Sequence, residues 1–320
     1  MNYLIIDKSI IISNCKKIKN LVHKVKGKLF IMIKSNMYGF GYQLIDYIYN
    51  YVDGFVIKDV SSLQYLSKYE NQKKIILLHC DIDSNKKNIY TTCCEDNREK
   101  SYIRVDPFLG IHGMSEEKFW EIRDLKKYTG VLIYINEFLN ENELKNLLKI
   151  LKRCVDNNLF FNIGGSSAID YINYFNYYKI EYRLLRKILF SLHNSTINFQ
   201  TSVLTDEIIT KEKEFGFKSD RVKVKKGYVA LLSFGYYDFK LLPLLYKKNI
   251  PLKILGEEYK ILCYPCMNTM WIYSDSTKLL PKTIQLFSNV KDVKDICRIL
   301  DIDIDEFYTS FSNEIERIYN

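Results

Sequence analysis

Lys34 closes the apolar run Leu29-Phe30-Ile31-Met32-Ile33 and opens into Ser35-Asn36-Met37-Tyr38-Gly39-Phe40-Gly41. A short run rich in Ile and Phe reads as a strand buried on both faces. A lysine where such a strand gives way to a loop is held against low-dielectric surroundings. Burial lowers the pKa of an amine and makes it nucleophilic, which is what Schiff-base chemistry requires. Gly39 and Gly41 let the loop turn tightly. The local pattern also describes, and more commonly is, a strand ending in a solvated lysine.

Two further segments carry chemically useful groups. Asn162-Ile163-Gly164-Gly165-Ser166-Ser167-Ala168 follows a strand over 159–163 and precedes a helix expected near Asp170. Exposed backbone N–H groups, serine hydroxyls and a helix start suit a phosphate monoester; an ordinary βα turn with a serine cap has the same pattern. Ser233-Phe234-Gly235-Tyr236-Tyr237-Asp238 places two phenols at a strand end, which in a chain with 26 tyrosines is unremarkable by itself. Cys263-Tyr264-Pro265-Cys266 has redox or zinc spacing but stands alone. A structural zinc needs four ligands, so these are read as two small residues in or beside a strand and no metal is expected.

The elements that must position these groups alternate. Helical spacing over 9–25 (Ile10, Ile11, Cys15, Ile18, Leu21, Val22) precedes the Leu29–Ile33 run. Helical 43–52, strand 54–57, a helix from Ser61 or Ser62 to Tyr69 and strand 74–78 follow. Strands over 102–105 and 131–134, a long amphipathic helix over 140–157 and strand 159–163 continue the series. Alternating strands and helices imply parallel pairing and, at this length, an α/β fold: a (β/α)8 TIM barrel over 8–195. After 196 short β-rich segments dominate (222–225, 228–234, 252–255, 259–263, 270–273), with helical pattern only near 290–300 and 305–311. They predict a C-terminal mostly-β domain over 196–320, joined by an N-terminal strand over 1–7.

Bulk properties exclude several classes. The chain of 320 residues is 47% hydrophobic and 27% charged, an ordinary soluble composition with room for two domains. The net charge of +9 is spread along the chain, and its densest run, Arg221-Val222-Lys223-Val224-Lys225-Lys226, alternates like the solvated face of a strand. No nucleic-acid partner is expected. Eight cysteines occur, and the opening apolar stretch is broken by Asp7 and Lys8, which reads as reduced thiols in the cytoplasm. No apolar stretch approaches the roughly 18–20 residues that span a bilayer, so no membrane association is expected.

Lys34-Ser35-Asn36-Met37-Tyr38-Gly39-Phe40-Gly41 resembles the lysine signature of the alanine racemase family, the fold type III pyridoxal-phosphate enzymes. The remaining resemblances come in the family's order. They are Ile6-Asp7-Lys8-Ser9-Ile10, Arg104-Val105-Asp106 with Gly113, Gly164-Gly165-Ser166-Ser167-Ala168, and Arg183 in Tyr182-Arg183-Leu184. Gly235-Tyr236-Tyr237-Asp238, Tyr264-Pro265-Cys266-Met267-Asn268 and the closing Glu316-Arg317-Ile318-Tyr319 complete the set.

The resemblance implies an amino-acid racemase that binds pyridoxal 5'-phosphate on Lys34, takes an amino acid as its small-molecule substrate and works as a homodimer with shared active sites. Lys34 and a partner-donated Tyr236 would be the two bases. Tyr38, Ser166 and Ser167 would hold the phosphate, Arg183 would face the pyridine nitrogen, and Tyr134 would cover one ring face. Met267 would lie near the substrate carboxylate. There are departures: the family arginine that contacts that carboxylate aligns with Ile111, beside His112, and its orienting lysine aligns with Arg104. A phosphate-holding glycine-isoleucine pair has become Leu185 and Arg186, where the Arg186 side chain would take over, and a phosphate tyrosine aligns with Asn313. These changes leave the amino acid open. They also leave a second reading: a degenerate racemase-fold protein that binds the cofactor or a partner without racemising alanine.

Overall fold

The computed structural model describes residues 2–58, 60–69, 72–78, 88–93, 101–108, 113–135, 139–175, 177, 179–190, 197–217 and 220–320. The chain begins with a short strand, β1 (Tyr3–Ile6), and a helix, Lys8–Lys24. It then builds eight strands: β2 (Lys28–Ile33), β3 (Gly54–Ile57), β4 (Lys74–Leu77), β5 (Ile89–Cys93), β6 (Ser101–Val105), β7 (Gly130–Tyr134), β8 (Phe160–Gly164) and β9 (Ile180–Arg183). All pair in parallel and in sequence order, and β9 closes on β2 with Lys28 opposite Glu181 and Phe30 opposite Arg183. This is the expected (β/α)8 barrel.

Side chains alternate across a strand, so the barrel's interior fixes a phase for each one. Phe30, Met32, Val56, Ile76, Tyr102 and Leu132 form one buried cluster, with Leu78, Tyr90 and Phe160 packed on it. At the N-terminal end of the barrel the filling turns ionic. The Glu181 carboxylate, fully buried, accepts from Lys74 Nζ at 2.7 Å, from Tyr102 OH at 2.9 Å and from Asn162 Nδ2 at 3.3 Å. Lys74 Nζ also stands 3.5 Å from the centroid of the Phe160 ring. Burial pulls the Lys74 pKa down, against the upward pull of Glu181, and burial raises that of the Tyr102 phenol.

The helix Glu141–Asp156 is capped by Asn140, whose side chain accepts from the backbone of Asn142 and Glu143 while Glu143 returns the bond. Two segments differ from expectation. Residues 60–66 form 3-10 turns with Ser61 and Ser62 inside them, and no α-helix runs to Tyr69. Ser166–Tyr174 is likewise 3-10 and starts before Asp170. Both are serine-containing, and serine competes for backbone hydrogen bonds in ways that disfavour a regular α-helix.

The chain divides into two compact units: Met1–Ile10, Tyr38–Gly41 and Leu192–Asn320 form one, and Ile11–Met37 with Tyr42–Ser191 forms the other, the barrel. The first is mostly β. Its strands are β1, β10 (Ile197–Ile209), β11 (Lys213–Phe215), β12 (Val222–Val224), β13 (Gly227–Leu232), β14 (Leu252–Ile254), β15 (Glu257–Ile261), β16 (Met270–Ser274), β17 (Thr283–Leu286) and β18 (Glu316–Tyr319). The main sheet runs β14-β15-β16-β13-β10-β1-β18, with β17 also on β10. β11 and β12 pair as a separate ribbon. The core of this unit is aromatic: Phe239 stacks on Phe311 with centroids 4.5 Å apart, Phe199 packs on Phe234 at 4.3 Å with the rings tilted, and Phe307 meets Phe239 edge-on at 5.0 Å. Among the described residues no helix is long and apolar enough to cross a membrane.

Candidate active site

Lys34 lies two residues beyond the inward-facing Met32, so it continues the interior phase of β2 at the strand's C-terminal end, where it is half-buried. The backbone turns immediately afterwards. Ser35, Asn36, Met37 and Tyr38 all have positive φ (49°, 50°, 55° and 56°), followed by Gly39 at 85° and Gly41 at 94°. Four consecutive non-glycine residues in the left-handed region form one left-handed turn, at a cost of about 1–2 kcal/mol each. Such strain persists only where surrounding contacts impose it, and it concentrates at functional sites. Within the barrel unit Asn36 ties the turn down: its Oδ1 accepts from Tyr42 N at 3.1 Å, its backbone N donates to Tyr42 OH at 3.3 Å, and the Tyr42 ring stacks on Tyr65 at 3.6 Å.

The same phase argument brings other groups to this end of the barrel. Arg104 is two residues past Tyr102, Tyr134 two past Leu132, and Gly164 and Arg183 are paired neighbours on β8 and β9. Arg183 is 8% exposed, and its guanidinium lies flat against Gly164, where a Cβ would come within 2.5 Å of Cζ. The β8 loop leaves through Gly165 at φ 115°, where a Cβ would collide with the Ile135 carbonyl oxygen. Ser166 and Ser167 follow, half-buried in the first 3-10 turn, and Arg186 is half-buried in the short helix Leu185–Leu189. Asp106, 6% exposed, caps the end of β6 by accepting from Phe108 N at 3.1 Å. Because Gly165 combines a glycine-favouring φ with backbone crowding, Gly165→Ala is expected to lower barrel stability by about 1–3 kcal/mol. A shift in urea midpoint reads this, and an unchanged midpoint would show that the loop has room to spare.

Tyr236 and Met267 meet in the other unit. Tyr236 N donates to the Cys266 carbonyl at 3.1 Å and Tyr237 N to the Met267 carbonyl at 2.9 Å. Gly235 packs so closely on Met267 that a Cβ there would overlap its carbonyl. Asp238 secures the bend by accepting from Gly235 N at 2.9 Å, and burial raises its pKa. Both side chains face solvent, Tyr236 at 37% and Met267 at 53% exposure. Ile111 and His112 lie outside the described residues. Cys263 is buried and Cys266 exposed, and no group of three metal-ligating side chains occurs among the described residues.

These residues fit pyridoxal phosphate chemically. An amine sits at the mouth of the barrel for the aldehyde. Two hydroxyls and Arg186 supply donors for a phosphate, and Gly164 lets the Arg183 guanidinium lie directly against the strand end beside them. Sequence reasoning missed the Lys74–Glu181–Tyr102–Asn162 cluster, whose only trace was a lysine opening a strand and the charged alternation of Ile180-Glu181-Tyr182-Arg183.

A (β/α)8 barrel carrying a mostly-β unit, with a lysine at the strand ends, defines the architectural class. Within it, the fold is that of the alanine racemases. Alanine racemase from Clostridium difficile 630 is matched with a TM-score of 0.82 at 17% identity, over 100% of this chain and 95% of that one. The Bacillus anthracis alanine racemase with bound L-Ala-P gives 0.81 at 15% over 100% and 95%. The Bartonella henselae alanine racemase with covalently bound pyridoxal phosphate gives 0.80 at 15% over 100% and 99%. What these proteins share with this chain is the fold. No protein-family model matches the sequence, and no curated protein does.

Proposed function

We propose that this chain is a pyridoxal-phosphate-dependent amino-acid racemase of the alanine racemase type, interconverting L- and D-amino acids by proton transfer at Cα. The observation that carries the reading is Lys34: an inward-phase amine at the C-terminal end of a barrel strand, followed by a strained left-handed turn. Reactive groups of such barrels sit at that end. Bound there, the cofactor would act as an electron sink that makes the α-proton of a joined amino acid acidic. Tyr38, Ser166, Ser167 and Arg186 would hold its phosphate by hydrogen bonds. Arg183 would face the ring nitrogen; a guanidinium keeps its proton, so that nitrogen would stay unprotonated and side reactions would be limited. Tyr134 would cover a ring face, and Met267 would offer its backbone N–H to the substrate carboxylate.

Inversion needs a proton removed from one face of Cα and returned to the other, hence two bases. Lys34 Nζ serves one face and the Tyr236 phenol, supplied by a second copy of the chain, serves the other. A homodimer is supported by large exposed apolar side chains in the Tyr236 unit, among them Leu204, Ile208, Phe217 and Tyr264. Tyr236→Phe is expected to leave cofactor uptake intact and to lower racemisation by about 10²–10⁴-fold, the usual worth of one acid–base group. Loss of optical rotation across a panel of L-amino acids measures it; near-wild-type turnover would sink the two-base assignment. Ile111 at the position of the family's carboxylate arginine favours one other reading, a cofactor-binding chain that does not racemise alanine. Reducible cofactor uptake with no deuterium incorporation at Cα of any amino acid would select it.

A further inference from the structure

Residues Tyr38–Gly41, which complete the turn behind Lys34, belong to the same compact unit as the last strand and not to the barrel. There they are gripped by side chains of β18. Arg317 Nε donates to the Gly39 carbonyl at 3.1 Å, and Tyr319 OH donates to the Phe40 carbonyl at 2.6 Å. The rest of the guanidinium is fixed: Nη1 donates to the Asn313 carbonyl at 2.9 Å and to that of Ile315, and Nη2 to that of Ser312 at 3.0 Å. Every acceptor among the described residues is a backbone carbonyl, so there Arg317 holds the chain and pairs with no carboxylate. Arg317 and Tyr319 lie two residues apart on one face of β18, whose register on β1 sets Arg317 opposite Leu4 and Tyr319 opposite Ile6. From the other side Gly39, at φ 85°, packs on the Tyr308 carbonyl too closely for any Cβ, and the buried Phe40 ring lies 5.8 Å from that of Tyr308.

We infer that Arg317 and Tyr319 are positioning residues that hold the left-handed turn in place and thereby set where the Lys34 amine can reach; this rests on the reading of Lys34 as the cofactor lysine. A turn of four non-glycine residues at positive φ relaxes unless something outside it resists, and two charge-assisted or buried donors aimed at successive carbonyls do so.

The test uses the full-length protein with Arg317→Met, Tyr319→Phe and, as a control, Arg298→Met, whose exposed guanidinium pairs with Asp295. Hydrogen–deuterium exchange of residues 35–41 in the cofactor-free protein is expected to accelerate about tenfold or more in Arg317→Met and a few-fold in Tyr319→Phe. Strand β13 should exchange as before in all three variants, and Arg298→Met should match the wild type throughout. After loading with pyridoxal phosphate, the two variants should retain less borohydride-reducible cofactor, with a shifted pH midpoint of its visible absorbance. Unchanged exchange at 35–41, or faster exchange with uptake and pH midpoint unmoved, overturns the inference. If Arg317→Met does not fold, Tyr319→Phe, which removes one hydroxyl, carries both readouts. If the wild type takes up no reducible cofactor, the functional reading fails, and the exchange rates alone decide whether these side chains hold the turn.

Discussion

Replacing Lys34 with alanine is expected to abolish borohydride-reducible attachment of pyridoxal phosphate and to lower α-proton exchange by at least about 10²–10⁴-fold. The fold should survive. The stability of β2 comes from Phe30, Ile31, Met32 and Ile33, all buried, whereas Lys34 lies beyond the strand and is only half-buried. The informative control is the barrel's other interior lysine. Lys74 sits at the N-terminal end of β4, bonded to Glu181 at 2.7 Å and ringed by Phe160, Tyr90 and Tyr102. An ammonium so paired is a poor nucleophile, so the double variant Lys74→Met, Glu181→Gln, which buries no unpaired charge, should leave cofactor attachment at the wild-type level. Peptide mapping after borohydride reduction reads the result directly. Label found on any peptide other than the one containing residue 34 would remove the basis of the functional reading.

Glu181→Ala should cost the barrel about 3–5 kcal/mol, the usual penalty for removing one member of a buried ion pair. The carboxylate has no exposure and takes three hydrogen bonds, so alanine strands the Lys74 ammonium, the Tyr102 hydroxyl and the Asn162 amide together. The Asn162 Oδ1 is already buried without a hydrogen-bond partner among the described residues, so losing Glu181 would leave both polar ends of that side chain unpaired. With Glu181 gone, the effect that raises the Lys74 pKa is lost while burial still lowers it. The amine should then shed its proton, and the variant should be less unstable at alkaline pH. The double variant Lys74→Met, Glu181→Gln keeps an acceptor for Tyr102 and buries no charge, so most of the loss should return. Denaturation midpoints of the barrel transition across pH test this; a Glu181→Ala barrel as stable as the wild type would mean that water solvates the cluster.

The parts of the fold that could be read from sequence share a physical simplicity. β2, β3 and β4 are buried on both faces and appear as unbroken apolar runs, and the helix Glu141–Asp156 carries both its period and its Asn140–Glu143 capping pair. β9 escaped because its inward face carries Glu181 and Arg183, charges that one end of the barrel buries and the other uses. β10 escaped because one strand of 13 residues passes through buried, half-buried and exposed surroundings, leaving no single period. The candidate site was legible in its residue types and not in its backbone. In Ser35-Asn36-Met37-Tyr38 only Asn36 hints at left-handed geometry, since the other three rarely adopt it. The grip of Arg317 and Tyr319 on Gly39 and Phe40 joins residues nearly 280 positions apart, a relation no local pattern contains.

The pairing of β1 with β10 and β18 fixes an order of events on the ribosome. Residues 11–191, apart from 38–41, are contiguous and can close into a barrel while the rest of the chain is still being made. β1 leaves the ribosome before either neighbour, meeting β10 only when residues 197–200 emerge and its parallel neighbour only with residues 316–319, so Leu4 and Ile6, fully buried at the end, stay unpaired in the nascent chain until then. That waiting apolar segment is a natural target for chaperones that bind growing polypeptides.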